Sequence, residues 1–158
     1  MALEQPVLRL LAGNDEFETC ARIMAGSEPW ITLVHDLDHC RAIVRDEALE
    51  PYGAFVNGEF AGFIGILLHG AFVGYIRVVC VAPAFRGRGV GSALVRFAEE
   101  RIFRDSPNVF LCVSEFNTGA RRFYERLGFE LVGELRDYVV KGHSEFLLRK
   151  TAGPMSDF

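Results

Sequence analysis

Hydrophobic positions recur with two periods along the chain, and each change of period marks an element boundary. Val7–Leu11 is a short apolar run that reads as a first strand. Asn14–Ala25 and Asp36–Glu47 read as helices separated by a break at Gly26 to Trp30, and Leu37, Cys40, Ile43 and Val44 recur at helical spacing in the second. The period then shortens. Tyr52–Val56 and Phe60–Leu68 flank Asn57-Gly58, a pair that accepts the positive φ angles of a tight hairpin. A third strand is expected over Phe72–Val81, apolar on both faces at its end and closed by Pro83, which cannot donate to a ladder. Val90, Ala93, Leu94, Phe97, Ala98 and Ile102 then form one helical stripe. Val109–Val113 reads as a buried strand and Asn117–Leu127 as a helix capped by Gly128. Two last strands are expected around Glu130–Val140 and Ser144–Arg149. The order describes a mixed α/β sheet with two crossover helices in its second half.

The 158 residues fit one domain, 1–158, with its core over about 7–149 and a tail at 151–158 expected to lack order. Half of the residues are hydrophobic, and the net charge of −4 argues against a general nucleic-acid binder. No apolar run is long enough to span a bilayer, and the first residues lack the basic region of a secretion signal, so a cytoplasmic protein without a membrane partner is expected. Cys20, Cys40, Cys80 and Cys112 are widely spaced, which fits neither a disulfide framework nor a metal site.

Chemistry concentrates in two segments. In the first, Arg86-Gly87-Arg88-Gly89-Val90-Gly91-Ser92 joins a strand to a helix. Alternate glycines let backbone N–H groups turn inward, and the helix N-terminus adds partial positive charge, which together make a cradle for a pyrophosphate. Arg86 and Arg88 can add side-chain charge. The spacing is neither that of a P-loop, which ends in Gly-Lys-Ser/Thr, nor that of a dinucleotide fingerprint, whose third glycine comes one residue later.

The pattern Arg86-x-x-Gly89-x-Gly91 resembles the Q/R-x-x-G-x-G/A signature of the GCN5-related N-acetyltransferases (GNAT family), and Val79 to Pro83 is similar to that family's fourth strand. The second segment, Asn117-x-x-Ala120-x-x-x-Tyr124-x-x-x-Gly128-Phe129, resembles another signature of the family. Asn117 and Tyr124 lie two helical turns apart, about 10 Å along the axis. Taken singly, Asn117 reads as a helix N-cap and Tyr124 as a core residue; their joint spacing downstream of the glycine loop favours a site.

The resemblance implies a GNAT fold: a mixed, mostly antiparallel twisted sheet of about seven strands with about four helices and a V-shaped cleft between strands 4 and 5. It implies acetyl-CoA as acyl donor, no metal, and a primary amine, small or on a peptide, as acceptor. It places Val79 and Val81 as backbone partners of pantetheine, residues 86–92 around the pyrophosphate, and Asn117 and Ala120 along the cofactor arm. It makes Tyr124 the acid that protonates the leaving thiolate in a direct transfer within a ternary complex, a role a phenol suits. Homodimers are common in such enzymes. The branch that acetylates ribosomal-protein N-termini carries a glutamate five residues ahead of the asparagine, where this chain has Cys112. The general base is therefore unassigned. Glu28, Trp30, Tyr138 and His143 are acceptor-pocket candidates, with His35 and Glu145 nearby; Pro29-Trp30 is similar to a pair in the same branch. The alternative class is an acyl-CoA-binding or sensing module without turnover, and a third is a nucleotide-phosphate binder.

Overall fold

A computed structural model describes residues 4–158. One mixed sheet in the order β1-β2-β3-β4-β5-β7-β6 organises the chain. Strands β1 (Val7–Leu10), β2 (Leu49–Val56), β3 (Glu59–Leu67) and β4 (Tyr75–Val81) form an antiparallel meander, with β2 and β3 joined through Asn57 and Gly58, both at positive φ. β5 (Asn108–Ser114), β6 (Glu130–Leu135) and β7 (Glu145–Thr151) form the other half, and β7 lies antiparallel between its neighbours.

Helices α1 (Gly13–Ala25) and α2 (Leu37–Val44) cover one face, and α3 (Val90–Ile102) and α4 (Thr118–Arg126) the other. Each face has its own core. Leu94, Val95 and Ile102 of α3 pack with Ile64, Ile76, Leu111 and Leu148, while Cys20 and Met24 of α1, Cys40 and Val44 of α2 and Trp30 pack with Phe63, Val78 and Cys80. Alternation along the strands sends successive side chains into the two layers. α3 is the crossover between the parallel pair β4 and β5, and α4 crosses β7 to reach β6.

β4 and β5 are the centre of the molecule and scarcely touch. They pair in parallel only at Tyr75 with Phe110 and Ile76 with Leu111, whereas β4 stays paired with β3 as far as Val81 and β5 with β7 as far as Ser114. Past Ile76 the two strands diverge into the expected V-shaped cleft, and an irregularity between Gly65 and Ile66 leaves Arg77 as the extra residue on β4. At the closed end, Gly74, just ahead of β4, bridges β3 and β5, its N–H donating to the Leu67 carbonyl and its carbonyl accepting from Phe110 N–H.

Several boundaries differ from the sequence expectation, with β2 starting at Leu49 rather than Tyr52 and β4 at Tyr75 rather than Phe72. The second helix ends at Val44 because Asp46 starts a turn, its carboxylate accepting from Ala48 N–H at 2.9 Å and its carbonyl from Leu49 N–H. The strand expected to reach Val140 ends at Leu135. Asp137 takes φ 51° and its carboxylate accepts the Gly142 N–H at 2.6 Å, which folds 136–144 into a loop and puts Tyr138 on it. The last strand runs past Arg149 to Thr151, after which Ala152 N–H bonds the Pro107 carbonyl and a short turn at Met155–Asp157 sets the Met155 sulfur against Ser106. Among the described residues no helix is long and apolar enough to cross a membrane.

Candidate active site

The glycine loop leaves β4 through a turn at Pro83–Phe85 and enters α3 at Gly89, whose φ of 84° places it in the left-handed region; Gly87 has φ 72°. No side chain caps this helix. Its first internal bond is Ala93 N–H to Gly89 carbonyl, so the N–H groups of residues 87–92 have no acceptor among the described residues. Space around Gly87 and Gly89 is open, so an anion can approach their backbone closely. Arg86 is held from behind, its guanidinium donating to the Val81 carbonyl at 3.2 Å and to Ser27 at 2.9 Å, and it ties the loop to the end of α1. Arg88 is exposed and lies over the Phe85 ring, 5.7 Å from its centroid.

The opening of the V is a cavity of about 440 Å³ that passes from one face of the sheet to the other. On the α4 side it is lined by Val79, Val113, Asn117, Ala120 and Tyr124. Asn117 caps α4, its amide oxygen accepting from Ala120 N–H at 3.4 Å, so the capping role foreseen for it is real and leaves its amide N–H₂ free to face the cavity. The Tyr124 ring is set edge-on between Phe123 and Phe129, with centroids 5.1 and 5.8 Å away, and burial pushes its phenol pKa well above the ordinary value.

On the other side the cavity meets Glu28, Trp30 and His35, with Tyr75 and Arg77 from β4, Cys112 and Ser114 from β5, Tyr138 from the 136–144 loop and Glu145 at the start of β7. Glu28 is engaged by Thr32, through its N–H at 3.1 Å and its hydroxyl at 2.8 Å. Trp30 anchors the α1–α2 connection in the core. Tyr138 stands 62 % exposed at the rim. His143 is not on the cavity wall; its Nδ1 lies 3.3 Å from Glu115 and its ring edges against Phe116. Val81 and the glycine loop likewise lie beyond the cavity, at the outer end of the cleft.

Burial, offset in part by the neighbouring Tyr75 hydroxyl, holds the Cys112 thiol above its usual range. It stays a neutral thiol at physiological pH, which makes it a poor nucleophile. Burial also raises the Glu145 carboxyl, with Glu115 adding to the shift and Ser114, His143 and Arg77 opposing it. Tyr75, Arg77 and Ser114 escaped the sequence reading. Ser114 and Arg77 sit in apolar strands where only the register shows which way they face, and Tyr75 is chemically indistinct from a packing aromatic. Among the described residues no cluster of three or more His, Cys, Asp or Glu is placed to hold a metal.

Comparison with known proteins agrees with this geometry. Residues 14–129 match the acetyltransferase (GNAT) family. The chain is 29 % identical over 144 residues to the N-alpha-acetyltransferase RimI of Mycobacterium tuberculosis, covering 86 % of this chain and 84 % of that one. It is 36 % identical over 110 residues to the mycothiol acetyltransferase of Mycolicibacterium vanbaalenii, covering 62 % of this chain but 36 % of that protein, so it spans about a third of the relative's length. An aminoglycoside 6′-N-acetyltransferase solved with coenzyme A superposes with a TM-score of 0.76 over 94 % of this chain and 98 % of that one, at 17 % identity, which speaks to fold alone. The family match spans the glycine loop, the splayed strands and the Asn117–Phe129 helix together, and the chain belongs to the acetyltransferase (GNAT) family.

Proposed function

We propose that this protein is an N-acetyltransferase that moves an acetyl group from acetyl-CoA to a primary amine by direct attack in a ternary complex. The observation that carries the reading is the cavity through the sheet. It is lined both by Asn117 and Tyr124 on one face and by Glu28 and Tyr138 on the other, and β4, which helps to line it, runs on toward the 87–92 backbone N–H groups, which have no acceptor among the described residues. A long, thin, polyanionic donor fits such a path. Residues 87–92 take the pyrophosphate, with Arg88 beside them. The unpaired edge of β4 at Val79 and Val81 bonds the pantetheine arm in the manner of an added strand. Asn117 and Ala120 flank that arm.

In the transfer, a backbone N–H of the splayed strand meets the oxygen that gains charge as the amine attacks. The carbon–sulfur bond breaks, and the Tyr124 phenol donates its proton to the departing thiolate. Burial keeps the phenol in its protonated form, so the proton is in place when the thiolate departs. Direct transfer is preferred to an acyl-enzyme on Cys112, because burial keeps that thiol protonated and no histidine is bonded to it among the described residues. Residues 1–158 act as one unit on this reading, in the cytoplasm, where the acyl donor is found.

The acceptor is a protein N-terminus, a lysine or a small amine; the names of the relatives point to more than one such acceptor. A thiol-release screen over an N-terminal alanyl peptide, a lysyl peptide, spermidine and an aminoglycoside tests the function. Amine-dependent release with any of them supports it. A second reading, an acyl-CoA-binding module without turnover, draws on Cys112 standing where a base is expected; stoichiometric binding with no release on any amine supports that instead.

A further inference from the structure

The acceptor face of the cavity holds three buried polar atoms without a hydrogen-bond partner of good geometry, Glu145 Oε2, Ser114 Oγ and His35 Nδ1, of which the first two are register neighbours. Glu145 is 7 % exposed and Ser114 3 % exposed; the Ser114 hydroxyl lies close enough to lower the Glu145 pKa as a hydrogen-bond donor, but the contact lacks good geometry, and Glu145 Oε2 and Ser114 Oγ have no other partner. The two residues are direct partners in the register of β5 and β7, so their side chains leave the sheet on the same face, and both line the cavity. Buried acceptors left unbonded are costly and uncommon in a folded protein. A carboxylate oxygen and a hydroxyl oxygen side by side call for a group rich in N–H donors. A primary ammonium has three and carries the charge that a buried carboxylate lacks here.

We propose that Glu145 and Ser114 form the seat of the acceptor amine, and that Glu145 takes the proton the amine must lose before it attacks. This rests on the acetyltransferase function proposed above. The ammonium docks with its N–H groups on Glu145 Oε2 and Ser114 Oγ. One N–H bond then breaks heterolytically, its proton passing to the carboxylate and its electron pair staying on nitrogen. The neutral amine forms the new bond to the thioester carbonyl carbon, the sulfur leaves with its bonding pair and takes the Tyr124 proton, and the second proton shed by the nitrogen as the amide forms restores the Tyr124 phenol. The proton on Glu145 returns to solvent through the open acceptor side.

The surroundings make Glu145 a stronger base than an exposed glutamate, with His35 and Glu28 also on the cavity wall. Burial and Glu115, from the end of β5, favour the protonated form; Ser114, His143 on the loop before β7, and Arg77 on β4 oppose this. Tyr75, Cys112 and Tyr138 also face the cavity, and Leu135 of β6, opposite Glu145 in the register, brings no charge. The base thus stands on β7, the strand next to β5, whose Cys112 takes the place of the glutamate in the related branch.

Two measurements on the full chain test this. In the first, the Glu145 side-chain carboxyl is followed by ¹³C NMR against pH, its signal identified by its loss in Glu145→Gln, with n-butylammonium chloride as the probe. The titration is expected above the ordinary glutamate range and should move to lower pH when the probe is added, less so in Ser114→Ala. A titration unchanged by saturating n-butylammonium overturns the assignment. In the second, Glu145→Gln is expected to lower kcat/KM for an amine that supports thiol release by about 10²–10⁴-fold and to remove the acidic limb of the pH profile, with acetyl-CoA affinity unchanged. Activity within about threefold of wild type, a threefold change being under 1 kcal/mol in the barrier, also overturns it. The first measurement needs no acyl donor, so a wild-type protein that fails to bind acetyl-CoA sinks the proposed function without deciding the amine seat.

Discussion

Tyr124→Phe separates the chemical role of this residue from its packing role. The ring sits between Phe123 and Phe129, and the substitution keeps every atom of those contacts. The hydroxyl makes no hydrogen bond to protein among the described residues, so its removal leaves no partner unsatisfied. A change of that kind shifts stability by about 0.5 kcal/mol or less. Loss of a positioned general acid, in contrast, costs roughly 10²–10⁴-fold in rate, or about 2.7–5.4 kcal/mol of barrier at 1.36 kcal/mol per tenfold. The two effects differ about tenfold and fall on different observables. The assay is thiol release under saturating acetyl-CoA, with a thermal melt in parallel. We expect kcat to fall by at least about a hundredfold while the melting temperature and acetyl-CoA affinity stay put. Because burial raises the phenol pKa, the wild-type rate should show no loss from Tyr124 ionisation on the alkaline side. A variant retaining most of its kcat refutes the role, and a variant that melts much earlier refutes the packing argument.

Other substitutions probe the scaffold. Gly74→Ala should destabilise by about 3 kcal/mol or more, since φ there is 88° and an added Cβ would lie 2.5 Å from Ile102 Cγ2 and collide with the Asn108 carbonyl; urea unfolding measures it. Asn117→Ala removes the cap of α4 and should cost about 1 kcal/mol, with a larger relative loss in acetyl-CoA affinity if its free amide also holds the cofactor arm. Glu145→Gln should melt no earlier than wild type, and later at neutral pH. Its carboxyl pKa is raised in the fold, so the protonated form stabilises below the unfolded-state pKa and that advantage is lost as pH rises through the folded value. Thermal melts across pH should therefore show the two proteins converging on the acid side; wild type outlasting the variant at neutral pH would contradict this.

Much of the architecture was legible because its signals are local. The Asn57-Gly58 turn, the stripe from Val90 to Ile102 and the glycines from Gly87 to Gly91 each state their geometry within a few residues. The divergence of β4 from β5 was not visible in periodicity; it came through resemblance and is carried by the short two-pair contact at Tyr75 and Ile76. Residues 136–140 read as strand because Tyr138, Val139 and Val140 look like one, whereas a single carboxylate at Asp137 folds them back. The contacts of the last residues carry no local signal, since Pro107 and Ser106 lie on a distant segment. The amine seat was the least legible part. Glu145 was one acidic residue among several near the last hairpin, and it gains meaning only when β5 and β7 align it with Ser114.

The central claim is that the splayed strands and the glycine loop hold acetyl-CoA. Calorimetric titration of the folded protein with acetyl-CoA, using ATP as the comparison ligand, tests it most directly. Saturable one-to-one binding that ATP does not match is the predicted result. Absence of heat with folded protein, or equal affinity for ATP, would contradict the assignment of residues 79–92 and 117–124.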